Sequence, residues 1–327
     1  MLNDWLKEKF ENVKIFLEEY GKIFFASVGV VVLFVCLYFI FIKTNEGELT
    51  VTFFDVGQGD SIFVETPSHK QMLIDGGPNN KVMQKLNSKM GFFDNDIDVV
   101  VATHADADHI TGLIPVFEKY NVKNVIESPV KGKTEVFNLL DNEIESHSAK
   151  SSDGTRNEKN GGANPTSPKG FDGARVYIAK TGDEIDFNDG VIAKVLYPVQ
   201  NLSSKTDTNE ASVCILLTYQ DKTFLFTGDL PSVRENKLIE SNLLSENVTI
   251  YKAGHHGSKN SSGEQLLSYI KPYYAVISAG KDNKYGHPNI ETIERLKKYG
   301  KVIFSTIDLG DVEFILNGKS FEVRGSH

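Results

Sequence analysis

One short stretch of the sequence concentrates side chains that bind metals. His104, Asp106, Asp108 and His109 follow the apolar run Val99–Ala102. Packed behind a buried strand, these imidazoles and carboxylates would repel one another and lose hydration unless a cation lay between them. A divalent ion favours charged carboxylates and neutral imidazoles, so the spacing predicts a metal site.

Three further apolar runs end in polar side chains that could bind a metal or a phosphate. They are Thr223–Thr227 before Gly228 and Asp229, Val248–Lys252 before His255 and His256, and Tyr274–Ser278 before His287. Alone, each cluster is more typical of a turn, a surface or a packed core than of a ligand. Because ligands bind at the carboxyl ends of strands in open α/β sheets, we expect the four strand ends to converge on one cleft.

The elements that must position these residues alternate along the chain between strand-like runs and helical periodicity. This pattern predicts a layered α/β domain over residues 49–323. The predicted strands are Thr50–Phe54, Ser61–Glu65, Gln71–Ile74, Val99–Ala102, Val213–Tyr219, Thr223–Thr227, Val248–Lys252, Tyr274–Ser278, Lys301–Ser305 and Val312–Leu316. The predicted helices are Lys81–Lys89, Ile110–Tyr120, Glu135–Ser146, Arg234–Ser241, Gly263–Ile270 and Ile290–Tyr299. Residues 146–173 are polar and almost lack apolar side chains, which predicts a flexible loop.

The N-terminal residues differ from the rest of the chain. Residues 23–42 carry no charge over a length sufficient to cross a bilayer, which predicts one transmembrane helix. Residues 1–22 have the spacing of an amphipathic or solvated helix, and residues 43–48 are predicted to be a linker. Lysines before the span outnumber those closely after it, which favours a single-pass protein of the cell membrane with an extracytoplasmic catalytic domain.

Composition narrows the function classes. The net charge of −9 argues against a protein coated with nucleic-acid-binding surface. Lys and Arg nevertheless outnumber Asp and Glu between Tyr251 and Lys301, which is compatible with an anionic substrate. The two cysteines cannot form a disulfide framework.

The motifs together resemble the metallo-β-lactamase superfamily, whose members carry HxHxDH after a strand, then a His, a bridging Asp and a final His. They resemble in particular the nuclease-like domain of ComEC-type competence proteins, which are DNA-uptake membrane channels. This closer resemblance runs from Leu49 to Val323 and rests on the segments 55–61 (DVGQGDS), 73–77 (LIDGG), Asn209 with Ser212, 254–258 (GHHGS) and 285–288 (YGHP). It implies a four-layer αββα sandwich with metal-dependent hydrolase activity.

The resemblance implies two divalent metal ions. The expected ligands of the first are Asp108, His109, Asp229 and His255, and those of the second are His104, Asp106 and Asp229 with Asn209 or water. His256 is so close to His255 that the two could exchange roles. Asp106 stands where most members have His, and the His expected before Asp229 is absent. Carboxylate ligands favour Mn²⁺ or Mg²⁺ over Zn²⁺, and the second position is expected to be the weaker.

Catalysis is expected to use a water activated by the metal that Asp108 holds. His287, or His256 if it is not a ligand, would donate a hydrogen bond or a proton to the substrate. Asp75 fits a structural role better than a catalytic one. Contacts to the substrate or to the metal ligands are predicted for Gly57, Gly59, Asp60, Asn209, Ser212, Lys252, Ser258 and Lys259.

These features predict a hydrolase of phosphodiesters that acts on DNA at the cell envelope. Two alternatives remain open: hydrolysis of a small ester, lactone or nucleotide, and a non-catalytic binding module tethered to the membrane. Strong dependence of binding on salt would point to a polyanionic substrate. The channel segments of ComEC-type proteins do not occur in this sequence, so a separate channel protein is the expected partner for DNA import. The oligomeric state is left open.

Overall fold

The computed structural model describes residues 2–45, 47–91, 93–149, 175–199, 202–317 and 321–326. The chain forms two units, Met1–Glu46 and Gly47–His327. The first contains helix α1 (Leu2–Asn45). Among the described residues no helix proves long and apolar enough to cross a membrane, so the predicted span over 23–42 is not supported. The side chains of residues 37 and 39–42 lie outside the described part of α1.

The second unit contains two sheets. Its strands are β1 (Leu49–Phe53), β2 (Ile62–Glu65), β3 (Gln71–Ile74), β4 (Asp96–Ala102), β5 (Asn121–Glu127), β6 (Arg175–Ile178), β7 (Glu184–Asp186), β8 (Val191–Tyr197), β9 (Cys214–Tyr219), β10 (Lys222–Phe226), β11 (Ile250–Lys252), β12 (Tyr274–Ile277), β13 (Val302–Ser305), β14 (Val312–Leu316) and β15 (Phe321–Gly325). Within the described residues, the first sheet has the order β15-β14-β1-β2-β3-β4-β5-β6 and the second the order β13-β12-β11-β10-β9-β8-β7.

The helices of this unit connect the strands. They are α2 (Lys81–Lys89), α3 (Ala107–Ile110), α4 (Leu113–Lys119), α5 (Glu135–Ala149), α6 (Ser232–Glu240), α7 (Glu264–Ile270), α8 (Ile290–Tyr299) and α9 (Thr306–Leu309). The predicted helix Ile110–Tyr120 is divided between α3 and α4, which lets the chain turn at Gly112. The predicted loop over 146–173 begins inside α5, and its residues 150–173 lie outside the described part of the chain.

Three buried apolar clusters separate the layers. In β4, Val99 and Val101 face a cluster that both sheets share, whereas Val100 and Ala102 face helices α2 to α5. A third cluster joins the other face of the second sheet to helices α6 to α8. This two-fold alternation follows from the pleat of a strand, which turns successive side chains to opposite faces. The result is a mixed α/β fold in which two sheets face each other and helices cover their outer sides.

Strand direction brings the motif-bearing ends together. Strands β3 to β6 pair in parallel, and so do β10 to β13. The carboxyl ends of β3 and β4 therefore share one edge of the first sheet, and those of β10, β11 and β12 share one edge of the second. The predicted clusters of polar residues lie in the connections that follow β4, β10, β11 and β12.

Two glycines let helix α4 approach the end of β3 closely. A Cβ atom on Gly112 would lie 1.9 Å from the carbonyl oxygen of Gly76 and 2.7 Å from that of Asn79. Backbone hydrogen bonds close the same contact, from Gly76 N to His109 O at 2.7 Å and from Gly112 N to Gly77 O at 3.0 Å. Because the carbonyl oxygens of Gly76 and Asn79 belong to the backbone and cannot rotate away, a side chain at Gly112 would overlap them.

We expect Gly112→Ala to lower the free energy of unfolding by about 2 kcal/mol, because the added methyl group overlaps backbone atoms. The backbone of Gly112 has φ −70° and ψ −17°, which Ala adopts without strain, so a loss of stability would report the overlap itself. Urea denaturation followed by circular dichroism measures the change. Gly91→Ala is the control, because the nearest atom to its Cβ lies 3.9 Å away. An unchanged or stabilised Gly112→Ala variant would contradict the close approach.

Candidate metal centre

Side chains from both sheets meet at one edge of the sandwich. Four of them, Asp60, His109, Asp229 and His256, are buried and offer ligand atoms that all lie within 4.8 Å of one another. Asp60 precedes β2, His109 lies in α3 after β4, Asp229 follows β10, and His256 follows β11. Three of the four predicted strand ends contribute to this cluster, and the fourth carries His287, whose ring centroid lies 6.5 Å from that of His256.

Asp75, at the end of β3, orients two histidines. Its Oδ2 accepts hydrogen bonds from His109 Nδ1 and from Thr103 Oγ1, both at 2.7 Å, and its Oδ1 accepts one from Thr103 N at 2.8 Å. Because the Thr103 hydroxyl donates to Asp75, it accepts from His104 Nδ1 at 3.0 Å. Both imidazoles therefore carry their proton on Nδ1, which leaves a lone pair on each Nε2.

His256 is fixed in the same tautomer by different partners. Its Nδ1 lies 3.0 Å from the carbonyl oxygen of Ser278, which can only accept, and 3.2 Å from Asp60 Oδ1. Its Nε2 then points a lone pair at the centre, 3.3 Å from His109 Nε2 and 3.5 Å from Asp229 Oδ2. Two imidazole lone pairs that face each other at this distance repel unless a cation lies between them.

The donor set fits a divalent metal. Atoms bound to one ion at about 2.0 to 2.2 Å lie roughly 3 to 3.5 Å apart. Asp229 Oδ1 lies 3.3 Å from His109 Nε2, and Asp108 Oδ2 lies 3.6 Å from His256 Nε2. Within the described residues, the buried atoms His104 Nε2 and Asp229 Oδ1 make no hydrogen bond. Such buried polar atoms are costly without a partner, and a metal ion would supply one.

Electrostatics point to the same need for positive charge. Burial opposes ionisation of Asp229, but His256 and His109 outweigh it and hold the pKa of Asp229 well below its usual value. Burial lowers the pKa of His256, but Asp229 and Asp60 outweigh it and raise that pKa to about 9. Burial and the neighbouring His109 lower the pKa of His104 to about 4, which keeps this imidazole neutral. Without a metal, His256 is therefore protonated at neutral pH, and a divalent metal that binds there would take the place of this proton.

The predicted second position is more open. His104 Nε2 lies 4.0 Å from both Asp106 Oδ2 and Asp229 Oδ2. Thr208 donates to Asp106 Oδ1 at 2.6 Å, which brings the adjacent turn of Asn209 to this side of the centre. Asn209 Oδ1 is buried and makes no hydrogen bond to any described residue. These atoms could complete a second ligand set, and the prediction that they do so remains a prediction.

The tandem histidines have distinct positions because their backbone is left-handed. His255 and His256 have φ of 48° and 53°, a conformation that non-glycine residues rarely adopt. His256 is buried in the four-residue cluster, whereas His255 lies at the rim with its side chain 29% exposed and Nε2 3.4 Å from Asp229 Oδ2. His255 was the predicted ligand. The structure brings His256 closer to the centre and keeps His255 within reach of it.

Lys252 does not lie where the sequence predicted. The predicted contact to phosphate requires an accessible ammonium group, but the Lys252 side chain is fully buried and its Nζ lies 2.7 Å from Asp60 Oδ2. It also donates to the carbonyl oxygen of Ala253 at 2.9 Å. Lys252 therefore neutralises Asp60, and Asp60 in turn contacts His256. Asp60 was predicted to contact the substrate or the metal ligands, and its contact with His256 is of the second kind.

The other predicted residues lie around the centre in different roles. Ser212 Oγ accepts from Asp229 N at 3.2 Å and so holds the aspartate backbone. Ser258 is buried, and its Oγ accepts from Asn260 N, which leaves it out of the cleft. Lys259 is an exposed residue of the same turn, anchored by a hydrogen bond from its N to Asn289. A Cβ on Gly59 would lie 2.1 Å from the Asp108 carbonyl oxygen, so this loop needs glycine for its close approach.

An open cleft of about 500 Å³ adjoins the centre. Its lining includes Asp106, Asp108, Gln58 and Tyr285. His287 stands next to it, half-buried, with its ring centroid 5.8 Å from that of Tyr285 and 5.5 Å from that of His255. Burial and then His255 lower the pKa of His287, which makes it a neutral hydrogen-bonding group near neutral pH. Gly57 lies in the same loop as Gln58.

Sequence reasoning expected a structural role for Asp75 but missed the contacts that define this role, and it missed Thr103. The role of Asp75 as the acceptor from His109, and of Thr103 as the link to His104, follows from spatial contacts that no local motif shows. Asp75 did carry one signal, since it ends a predicted strand in the LIDGG segment. Tyr285 was noted only as part of a motif.

Comparison with known proteins identifies the family. Residues 54–281 match the family model of the metallo-beta-lactamase superfamily. The chain belongs to this superfamily. The resemblance to competence proteins is also confirmed: the chain is 26% identical over 292 residues to ComE operon protein 3 of Bacillus subtilis (strain 168) and 27% identical over 276 residues to Competence protein ComA of Neisseria gonorrhoeae.

These relatives are longer than the chain. The two alignments cover 83% and 82% of the chain but 33% and 32% of the relatives. Among solved structures, the metallo hydrolase Igni18 of Ignicoccus hospitalis KIN4/I aligns with 83% of the chain and 100% of its own length at a TM-score of 0.47 and 15% identity. CmlA, a diiron β-hydroxylase of Streptomyces venezuelae, aligns with 83% of the chain and 54% of its own at 0.48 and 13%.

We expect Asp75→Asn to weaken metal affinity by about 10- to 100-fold, because the amide no longer fixes the tautomers of His109 and His104. Titration against a competing chelator measures the affinity. Asp221→Asn, which changes an exposed aspartate between β9 and β10 at the opposite end of β10 from Asp229, should leave the affinity unchanged. Equal affinities for the two variants would show that Asp75 does not orient the ligands.

Stability of the metal-free protein should fall as the pH rises above neutrality. Because folding raises the pKa of His256 from about 6.5 to about 9, the stabilisation is complete below the unfolded pKa and is lost as pH passes the folded one. We expect a decrease on the order of 3 kcal/mol in unfolding free energy between about pH 6.5 and pH 9.5, measured by urea denaturation in EDTA. His256→Gln should flatten this decline, and His69→Gln, at an exposed site, should not. A decline of equal slope in both variants would refute the assignment.

Proposed function

We propose that this protein is a metal-dependent phosphodiesterase that cleaves DNA. The observation that carries the proposal is the buried set of imidazole nitrogens whose lone pairs converge on Asp229. A divalent metal held there would lower the pKa of a bound water towards neutrality and so supply the nucleophile for hydrolysis. The hydrolase class follows from family membership, and the substrate is the proposed part.

Three features support a phosphodiester substrate. The cleft beside the centre is open, as a long polymer requires, and Asp106 and Asp108 line it. The relatives of similar sequence bear the names of competence proteins, and a third, from Haemophilus influenzae, is named Recombination protein 2, with 32% identity over 124 residues. The sequence motifs of the chain resemble those of ComEC-type competence proteins, which take up DNA.

The chain's own residues divide the work of holding metal and substrate. His109, His256 and Asp229 would hold the metal, with Asp108 next to His256. His287 lies at the rim as a neutral imidazole and would donate a hydrogen bond to a phosphate oxygen. Tyr285 is 54% exposed in the cleft and offers a ring face to a nucleobase. His256 is too deeply buried for the predicted role of proton donor to the substrate.

The donor set also bears on the choice of metal. Imidazole suits Zn²⁺ and iron, whereas carboxylate suits Mg²⁺ and Mn²⁺. A centre with Asp108, Asp229 and Asp106 beside its imidazoles favours Mn²⁺, which accepts both kinds of ligand. We propose Mn²⁺ as the metal that supports activity best, ahead of Zn²⁺.

The direct test is cleavage of labelled single- and double-stranded DNA with Mn²⁺, Mg²⁺, Zn²⁺ or EDTA. We expect cleavage with Mn²⁺, none in EDTA, and a loss of at least about 100-fold in His109→Ala, which removes one predicted ligand and one of the three hydrogen-bond donors to the Asp75 carboxylate. His69→Ala is the matched control, because this exposed histidine pairs only with Glu65 among the described residues.

Two outcomes would overturn the proposal in different ways. Cleavage that persists in EDTA and in His109→Ala would remove the metal mechanism. A metal-loaded protein that hydrolyses a small ester or lactone but no DNA would keep the hydrolase and refute the substrate.

A further inference from the structure

A second cleft of the fold lies away from the metal centre. It has a volume of about 740 Å³ and is formed at the amino ends of β10 to β13. The metal centre lies at the carboxyl ends of β10 to β12. Tyr273 immediately precedes β12 and Ser278 immediately follows it, so roughly 15 Å of strand separates the two sites at about 3.3 Å per residue. The cleft is therefore a separate feature of the fold.

The charge of this cleft differs from that of the whole chain. Its lining includes Lys222, Lys271, Lys298 and Lys301 and contains no Asp or Glu, although the net charge of the chain is −9. Lys222 and Lys298 have acidic partners outside the lining, Asp221 and Glu264. Among the described residues, no carboxylate forms an ion pair with Lys271 or Lys301. The cleft thus presents two uncompensated positive charges to a ligand.

Aromatic rings lie between these lysines. The Lys301 Nζ lies 4.8 Å from the centroid of the Tyr273 ring, and the Lys298 Nζ lies 4.9 Å from that of Tyr299. Tyr273 is 45% exposed, whereas the neighbouring Tyr274 is only partly exposed and stacks on Phe321 at 5.2 Å. The cleft therefore offers a tyrosine ring that is nearly half exposed, lies 4.7 Å from the ring of Tyr274 and has the Lys301 ammonium group over it.

We propose that this lysine–tyrosine cleft binds single-stranded nucleic acid, with a base stacked on Tyr273 and phosphates beside Lys271 and Lys301. A nucleotide presents a flat base and an anionic phosphate at similar spacing, and single-strand binders combine these two kinds of contact. A duplex hides its base faces and fits less well. An anionic membrane surface would favour protruding side chains, whereas the rings here line a recess. The proposal does not depend on the nuclease reaction.

The test measures binding without turnover. The full chain in EDTA is titrated against a fluorescein-labelled oligothymidylate of about 12 nucleotides, followed by fluorescence anisotropy at several salt concentrations. We expect Tyr273→Ala to weaken binding by about tenfold, because one stacked base is lost. We expect the double variant Lys271→Gln/Lys301→Gln to reduce the slope of log affinity against log salt by about 1.4, as two phosphate contacts disappear.

The control variant removes two positive charges outside the lysine–tyrosine cleft. Lys180→Gln/Lys237→Gln changes two lysines outside the cleft and should keep the affinity and the salt slope of the wild type. Thermal unfolding of all variants checks that none has lost its fold, and a variant that has is replaced by Tyr273→Leu, which keeps an apolar side chain but not the ring.

Three results would overturn the proposal. The first is the absence of oligothymidylate binding by the wild type. The second is equal affinity and slope in the cleft and control variants, which would place the strand elsewhere. The third is binding only to phosphatidylglycerol vesicles, lost in Lys271→Gln/Lys301→Gln, which would assign the cleft to a lipid surface. Because metal is chelated throughout, none of these results bears on whether the metal centre cleaves DNA.

Discussion

The metal centre depends on the hydrogen bonds that the buried carboxylate of Asp75 accepts. Since a carboxylate can only accept, the bonds from His109 and Thr103 have one possible direction, and Thr103 in turn must accept from His104. One side chain thus fixes the tautomers of two imidazoles on different turns. Both free Nε2 atoms face Asp229, and the centre is prepared for a cation before any cation binds.

This arrangement explains features of the fold that would otherwise be costly. The left-handed backbone of His255 and His256 and the buried ion pair of Lys252 with Asp60 each oppose stability when considered alone. Together they place His256 Nε2 opposite His109 Nε2 and hold its Nδ1 against Ser278 and Asp60. The contact of Gly76 with Gly112 does the same for the first sheet, because it holds α3 against the end of β3. The features that lower the stability of the fold are therefore concentrated around the residues that must hold the ligand atoms rigidly.

A helix, a strand or a site residue could be predicted from the sequence only where neighbouring residues carry the pattern that determines it. The strands Gln71–Ile74 and Val312–Leu316 and the helices Lys81–Lys89 and Ile290–Tyr299 have the predicted bounds, because each shows its periodicity over its own length. Strands β5 and β8 were not predicted, although their apolar residues lie in the cores. The inward position of His256 and the burial of Lys252 depend on backbone conformation and on a partner, Asp60, that lies nearly two hundred residues earlier. Sequence spacing carries no information on either.

The second sheet separates two kinds of chemistry by the direction of its strands. Loops that follow parallel strands gather at one edge, and in this chain they carry the imidazoles and carboxylates of the metal centre. Loops that precede the same strands gather at the other edge, where Lys271, Tyr273 and Lys301 line the cleft. The lysine beside the centre, Lys252, is buried and paired with Asp60, whereas Lys271 and Lys301 at the opposite edge have no carboxylate partner among the described residues and are free to attract an anion. The acidic average of the chain therefore conceals a basic edge, and net charge alone is a poor guide to whether this protein binds nucleic acid.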